Sequence, residues 1–504
     1  LTPPARPNCR SDSLRDLLSH LAAWRPFDAV VVGDFMLDEL VYGDAERLSP
    51  DAPVPVLQVE RTERRPGGSA NVCLDLVAIG GAVRAVGVVG DDAAGAFLRD
   101  DLAQSNIHIE GIITDAARPT TVKRSLIGLA QHRHAQKMFR LDMESRQPIG
   151  QPIAGQLLSA FDSALVGVDV VCIEDYGKGV CTPELCQAII KNCNAAGVPV
   201  LVDPARREEY TRYRGASCVT PNRSEAQDAA PSVGQTASSD PAELASVMRA
   251  KLNLDAIVLT LDRDGAVLAT ADAEPIAVPT LAREVYDVTG AGDMVLAALA
   301  GAMANKTGWL DAVRFANAAA GLEVEIFGVE PLPLERIHHA VLLAMGKLRG
   351  KQRTVDELLV ELAARRREGK RIVFTNGCFD IIHAGHIALL REAARFGDVL
   401  VIGVNSDDSV RRLKGPDRPV HHENDRLEVL SELESVAAVV LFDADTPIEL
   451  IRAIKPDVLV KGADYHKSEV VGADEIETWG GRVELVPLLE GRSTSAAIDR
   501  LRAQ

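Results

Sequence analysis

Short runs of β-branched apolar residues alternate with helix-length stretches twice along this chain, and each series starts afresh with its own first strand. The first opens at FDAVVVGDFMLD (27–38). It continues through AVRAVGVVGDD (82–92), DVVCIEDYGKG (169–179), VPVLVDPAR (198–206) and DAIVLTLDRDG (255–265). The second opens at RIVFTNG (371–377). It continues through DVLVIGVNSD (398–407), AAVVLFD (437–443), PDVLVKGADY (456–465) and GRVELVP (481–487). Such alternation specifies mostly parallel sheets with helices on both faces, so the spacing predicts two successive α/β domains. A chain of 504 residues is also too long for one ordinary core.

The texture changes between 40 and 62. VPVLQVE (54–60) alternates in polarity with Pro53 and Pro55 nearby, which predicts a small antiparallel flap outside the main sheet. Two helical patterns, LERIHHAVLLAMGKL and TVDELLVELAARRREGK, fill 334–370 and separate the two series. The cations of RRREGK (365–370) suit a helix C-terminus, where the dipole is negative. The expected layout is an N-terminal extension at 1–24, a first domain at 25–345, a helical linker at 346–370 and a second domain at 371–504.

Composition narrows the function. A net charge of −17 argues against broad nucleic-acid binding, which needs a basic face. No apolar run approaches the ~20 residues needed to span a bilayer. The start, LTPPARPNCRSDS, lacks the apolar core of a secretory signal, so the expectation is a cytoplasmic protein without membrane insertion. Eight cysteines form no C-x-x-C pair and read as small buried residues rather than disulfides or a zinc site.

Residues 287–293 read DVTGAGD and lead into MVLAALAGAMA, a helical pattern. Backbone N–H groups at such a helix start form an anion pocket. A carboxylate in the first turn, Asp293, can accept a proton from a hydroxyl while those N–H groups steady a transferring phosphoryl group. Taken alone, the string is equally a Gly-rich turn with an acidic cap. PGGSANV (66–72), TPNRSEA (220–226) and FANAAAG (315–321) accompany it.

Together these motifs resemble the ribokinase-like (pfkB) sugar kinase family over roughly 25–330. The resemblance implies a three-layer α/β domain with a small β lid that often also makes a dimer contact. It implies Asp293 as base and Gly290, Ala291 and Gly292 as the anion hole. Asn222 and Glu225 would position ATP phosphates and Mg²⁺, with Glu225 acting indirectly on the metal, and Asn317 would lie near the adenine. Asp34, Asp38, Gly67, Gly68 and Asn71 would face the sugar. Arg140 and Lys178 would bind a sugar phosphate, unless they are solvated loop charges. VDPAR (202–206) and EVEIFGVEP (323–331) depart from the family pattern.

In FTNGCFDIIHAGH (374–386) two histidines follow an apolar strand and an Asn376-Gly377 turn signal. An open parallel sheet binds nucleotide at that place, at the strand's carboxyl end against a helix N-terminus. Two imidazoles there can donate to phosphate oxygens as pyrophosphate is displaced. A metal pair fits less well, because the Glu of H-E-x-x-H and a third ligand are missing. Surface decoration is the remaining alternative.

The stretch 370–504 resembles the H-x-G-H nucleotidyltransferases of the cytidylyltransferase-like group. That implies a Rossmann-like α/β domain with His383 and His386 at the reacting phosphorus. Lys414 and the turn Ser493, Thr494 and Ser495 would contact triphosphate. Asn376, Phe379 and Lys461 would bind the nucleotide. Asp380 would hold Mg²⁺ or a substrate phosphate, and Arg426 would meet substrate.

A sugar kinase in front of an H-x-G-H transferase resembles the bifunctional enzymes of ADP-heptose synthesis. The resemblance implies ATP, Mg²⁺ and heptose phosphates as ligands, and a homodimer through the kinase lid. The alternatives are a different sugar or polyol kinase fused to a CTP-using transferase, or a scaffold with a weakened kinase half.

Overall fold

The apolar runs of the first series become neighbours in one sheet. The computed structural model describes residues 17–18, 20–129, 136–207, 209–234, 240–280, 290–324, 331–344, 350–463 and 469–487. The chain divides into two units, Arg25–Ile337 and Leu1–Trp24 with His338–Gln504. In the first unit the nine strands run from edge to edge Ile276–Val278, Ala266–Thr270, Ala256–Thr260, Cys218–Val219, Val200–Asp203, Val170–Glu174, Phe27–Gly33, Gly81–Val89 and His108–Thr114. All pairs from Ala256–Thr260 onward are parallel, and the first two strands add antiparallel at one edge. The central strands carry consecutive apolar residues because helices cover both faces, as FDAVVVG shows with Val30, Val31 and Val32 all buried.

The predicted flap is larger than 40–62. Phe35–Leu48 pairs antiparallel with Pro55–Gly68 and parallel with Thr121–Leu129, which pairs antiparallel with Gln136–Met143. The last two strands read TVKRSLIGL and QKMFRLDM, too mixed in polarity to announce themselves by alternation. Side chains alternate across this lid. Asp38, Leu40 and Tyr42 line a cleft on one face, while Glu39 and Val41 line a groove on the other.

The second unit holds a six-stranded, all-parallel sheet in the order Gln352–Arg353, Ala438–Phe442, Val399–Asn405, Ile372–Gly377, Val458–Gly462, Arg482–Val486. Two cores flank it. Ile372 and Phe374 point into one, and Val373 into the other, the period-2 signature of a strand buried on both sides. Chain order reverses beside Ile372–Gly377, so the loop after that strand sits at the switch point where open sheets bind ligands.

The expected helical linker at 346–370 is built into this unit over its described part. Gln352–Arg353 is an edge strand, and Leu358 and Leu362 of the helix Val355–Arg367 lie in the sheet's core. That helix starts on a capping box between Thr354 and Glu357 and ends in three arginines. Within the same unit, Trp24 meets His338 edge-on at 6.4 Å.

Six of the seven described cysteines are buried, and Cys378 is half-buried. Among the described residues no helix is long and apolar enough to cross a membrane.

Candidate active sites

The helix Ala291–Ala304 begins at Gly290, whose φ of 91° is left-handed and favours glycine. Asp287, Val288 and Thr289 of the motif lie outside the described residues. Small side chains let this helix pack against Ser69–Ala78, and that packing brings Asp293 to Asn71. Asp293 is 5% exposed. Its Oδ1 accepts from the Tyr176 hydroxyl at 2.7 Å and its Oδ2 from Asn71 Nδ2 at 2.9 Å. Burial pushes its carboxyl up to about 6, opposed by those two hydrogen bonds and by Lys123.

On the lid side Asp293 opens into a cleft of about 450 Å³ lined by Asp38, Gly67, Gly68, Asn71, Lys123, Lys137, Arg140 and Tyr176, among others. A Cβ on Gly67 would sit 2.5 Å from Asp38 Oδ2, so the glycine admits that carboxylate. Burial raises Asp38 while Lys123, Arg140 and Lys137 pull it down. Lys123 Nζ stands 4.5 Å over the Tyr176 ring. Arg140 is bidentate with Asp142, at 2.8 Å for each bond.

Two residues expected at the sugar are taken up in holding the loop beside it. Asp34 is 2% exposed and accepts from the backbone N–H of Tyr176 at 2.9 Å, Lys178 at 3.0 Å and Val180 at 3.4 Å. Burial and the Asp175 charge still push it up to about 6. Lys178 turns its ammonium to Glu144. Lys123 and Lys137 occupy the cleft wall instead. They sit on lid strands whose existence the pattern did not reveal.

The other side of Asp293 faces a second pocket of about 370 Å³ that includes Glu174, Asp203, Asn222, Glu225, Gly290 and Gly292. Carboxylate oxygens of Glu174, Asp203 and Asp293 lie within 4.8 Å of one another. Burial pushes the Glu174 and Asp203 carboxyls well above the usual range, helped by Asp203 and Asp293 at Glu174 and by Glu225 and Asp293 at Asp203. Glu174 Oε2 is buried and makes no hydrogen bond among the described residues. Hard oxygen donors with an unsatisfied buried atom fit a divalent cation.

Asn222 and Glu225 form a reciprocal capping box on the helix Arg223–Ala229, both bonds at 2.9 Å. Glu225 therefore stands at the pocket but is committed to its own helix. Asn317 is buried, with Nδ2 donating to Val278 O at 2.9 Å and Pro279 O at 3.4 Å. Its amide nitrogen ties a helix to the sheet edge.

In the second unit the helix Ala384–Ala393 starts at His383, whose Nδ1 accepts from Gly385 N at 3.2 Å. The His383 and His386 rings stack with centroids 3.9 Å apart. Phe379, at a left-handed φ of 48°, meets His386 at 5.4 Å. His386 Nδ1 is buried without a hydrogen bond among the described residues. Burial, then His383 and Lys414, pull His386 down to about 4, so it is neutral at pH 7. Lys461 Nζ bonds Asn376 Oδ1 at 2.6 Å and Asn376 O at 3.0 Å, joining two neighbouring strand ends.

Two expected ligand contacts are braces. Asp380 is 3% exposed and accepts from Arg418, Val420 N at 2.6 Å and His421 N at 3.2 Å. Its oxygens hold the 418–421 loop. Arg426 is 2% exposed and donates to Cys378 O, His421 O and Asp407 Oδ1. It ties the strand-end loop to a neighbouring helix and does not face outward to substrate. Lys414 ends the helix Asp407–Lys414 and is exposed. Ser493, Thr494 and Ser495 lie outside the described residues.

Residues 27–335 match the model for the pfkB family carbohydrate kinases, and 374–493 match the cytidylyltransferase-like model. "Bifunctional protein HldE" of Pelobacter propionicus is 42% identical over 477 residues, covering 95% of this chain and 96% of that one. The protein of the same name from a Caulobacter species is 44% identical over 481 residues, covering 94% and 96%. Escherichia coli phosphofructokinase-2 in its tetrameric inhibited form matches in fold, with a TM-score of 0.52 at 17% identity over 64% of this chain and 100% of that one. With a sugar-kinase half and a nucleotidyltransferase half matched along nearly the whole length of such relatives, the chain belongs to the family of bifunctional HldE proteins.

Proposed function

We propose that the chain performs two steps of ADP-heptose synthesis. The first unit phosphorylates O1 of D-glycero-β-D-manno-heptose 7-phosphate from ATP. The second joins heptose 1-phosphate to AMP from ATP and releases pyrophosphate, for the lipopolysaccharide core. The observation that carries the reading is Asp293, a buried carboxylate between a cation-lined lid cleft and a carboxylate-lined pocket at a helix N-terminus.

In the first unit the sugar enters under the lid with its 7-phosphate toward Lys123, Lys137 and Arg140. Asp293 takes the O1 proton as the O1–Pγ bond forms and the bond to ADP breaks. The N–H groups at Gly290, Ala291 and Gly292 receive the phosphoryl oxygens. The lid excludes water, which would otherwise accept the phosphoryl group. Glu174 and Asp203, with Glu225 nearby, would hold Mg²⁺, which when bound supplies charge neutralisation on the phosphates.

In the second unit an oxygen of heptose 1-phosphate bonds to the α-phosphorus of ATP and the bond to pyrophosphate breaks. Neutral His386 and its stacked neighbour His383 donate to the phosphate oxygens, and Lys414 brings the positive charge. Asn376, Phe379 and Lys461 shape the nucleotide side. Leu48, Val59 and Leu141 are exposed on the lid, and a homodimer through the lid covers them. The chain works in the cytoplasm, where ATP is supplied.

Similarity through both halves disfavours a polyol kinase joined to a CTP-using transferase. The test is product analysis by mass. With ATP and heptose 7-phosphate the protein forms a heptose bisphosphate; with a 7-phosphatase added it forms ADP-heptose and pyrophosphate. Failure to phosphorylate heptose 7-phosphate, or transfer from CTP in place of ATP, overturns the assignment.

A further inference from the structure

Asp75 lies one turn beyond Asn71 on the helix Ser69–Ala78 and is wholly buried. A side-chain amide has two hydrogens to give. Asn71 Nδ2 donates to Asp293 Oδ2 at 2.9 Å and to Asp75 Oδ2 at 3.3 Å. With both hydrogens committed, the plane of the amide is set by Asp75 on one side and Asp293 on the other. Asp75 Oδ1 is buried and makes no hydrogen bond among the described residues. Neither the DVTGAGD motif nor PGGSANV includes this carboxyl.

The titratable groups that bear on Asp75 come from three helices. Asp293 faces it from Ala291–Ala304, Glu323 from the end of Trp309–Glu323, and Cys73 from its own helix. Glu323 is itself 1% exposed and opens the EVEIFGVEP stretch that departs from the family pattern. Buried acids this close do not all ionise. Burial, Glu323 and Asp293 push the Asp75 carboxyl well above the usual range. Among the described residues Asp293 has two donors, Tyr176 and Asn71, and Asp75 has one.

We propose that Asp75 is a positioning residue for phosphoryl transfer, holding the Asn71 amide so that its other N–H points at Asp293. What it supplies is an acceptor oxygen for one amide hydrogen. The inference rests on Asp293 being the base. Without the Asp75 acceptor the amide is free to rotate and Asp293 loses a fixed donor, so the loss falls on kcat rather than on KM.

The experiment compares Asp75→Leu and Asp75→Asn with the parent in the full chain, each checked for native circular dichroism. Asp75→Leu should lower phosphorylation kcat by about tenfold or more, with KM values within about threefold. Asp75→Asn keeps an oxygen in place of the acceptor and should restore kcat to within about threefold. An Asp75→Leu enzyme with parental kcat, a loss that falls on KM instead, or a folded Asp75→Asn as slow as Asp75→Leu overturns the proposal. If Asp75→Leu fails to fold, Asp75→Asn decides: kcat within about threefold of the parent supports the proposal, and a folded Asp75→Asn slowed about tenfold or more overturns it. The base reading fails separately, by Asp293→Asn retaining parental phosphorylation.

Discussion

The two candidate sites use one architectural device and opposite electrostatics. In each, a helix N-terminus stands beside the carboxyl ends of parallel strands. In the first unit that N-terminus is crowded by carboxylates that burial and repulsion push up, Asp293 to about 6. In the second it carries two stacked imidazoles, and burial with neighbouring positive groups pulls His386 down to about 4. In the proposed reading the helix end supplies a place for phosphate in both cases, and what differs is the proton: one site accepts it from a sugar hydroxyl, and the other only donates hydrogen bonds to an anion already ionised.

The comparison breaks most sharply at the two central residues. Asp293→Asn should lower phosphorylation by about a thousandfold and leave adenylyl transfer intact, measured as ADP and pyrophosphate release. His386→Ala should do the reverse, lowering adenylyl transfer by about a hundredfold or more. Loss of both activities in either variant would mean the sites are not independent. Arg426→Met sharpens the distinction between brace and contact. It removes a buried guanidinium and should destabilise the second unit by about 3 kcal/mol in denaturant unfolding, with phosphorylation unchanged. Lys123→Met should raise KM for the sugar phosphate by about tenfold with a smaller change in kcat, if the lid cations read the distal phosphate.

The smallest effect is in pH dependence. Asp293 must be ionised to accept a proton, so phosphorylation should fall as pH drops through about 6. His386 stays neutral down to about 4, so it imposes no limb on adenylyl transfer in that range. The ratio of the two rates should therefore fall on acidification. A ratio that stays flat would remove the electrostatic contrast.

The parts of the fold legible in the sequence are those written locally. Apolar runs buried on both faces declared the central strands. Gly290 with Asp293, and His383 with His386, sit within a few residues of each other, so spacing alone put each pair on one helix start. Glu174 with Tyr176, Asp203 and Lys123 come from three separate segments of the chain, none of them next to DVTGAGD in sequence. Only the register of the sheets brings them together.

Asp380 and Arg426 show what a sequence motif leaves unsaid about a charged side chain's partners. A charged residue inside or near a motif reads as a contact, whereas here three hydrogen bonds turn each into a brace. The lid strands at Thr121–Leu129 and Gln136–Met143 were hidden by their mixed composition, because one face lines a polar cleft.

Complementation between the two variants tests the central claim most directly. Asp293→Asn and His386→Ala chains are purified separately and supplied with ATP, heptose 7-phosphate and a 7-phosphatase. Neither alone should yield ADP-heptose, and the mixture should restore it. A mixture that stays inactive while each variant is folded, or a single variant that makes the product unaided, would contradict two separate sites with separate chemistry.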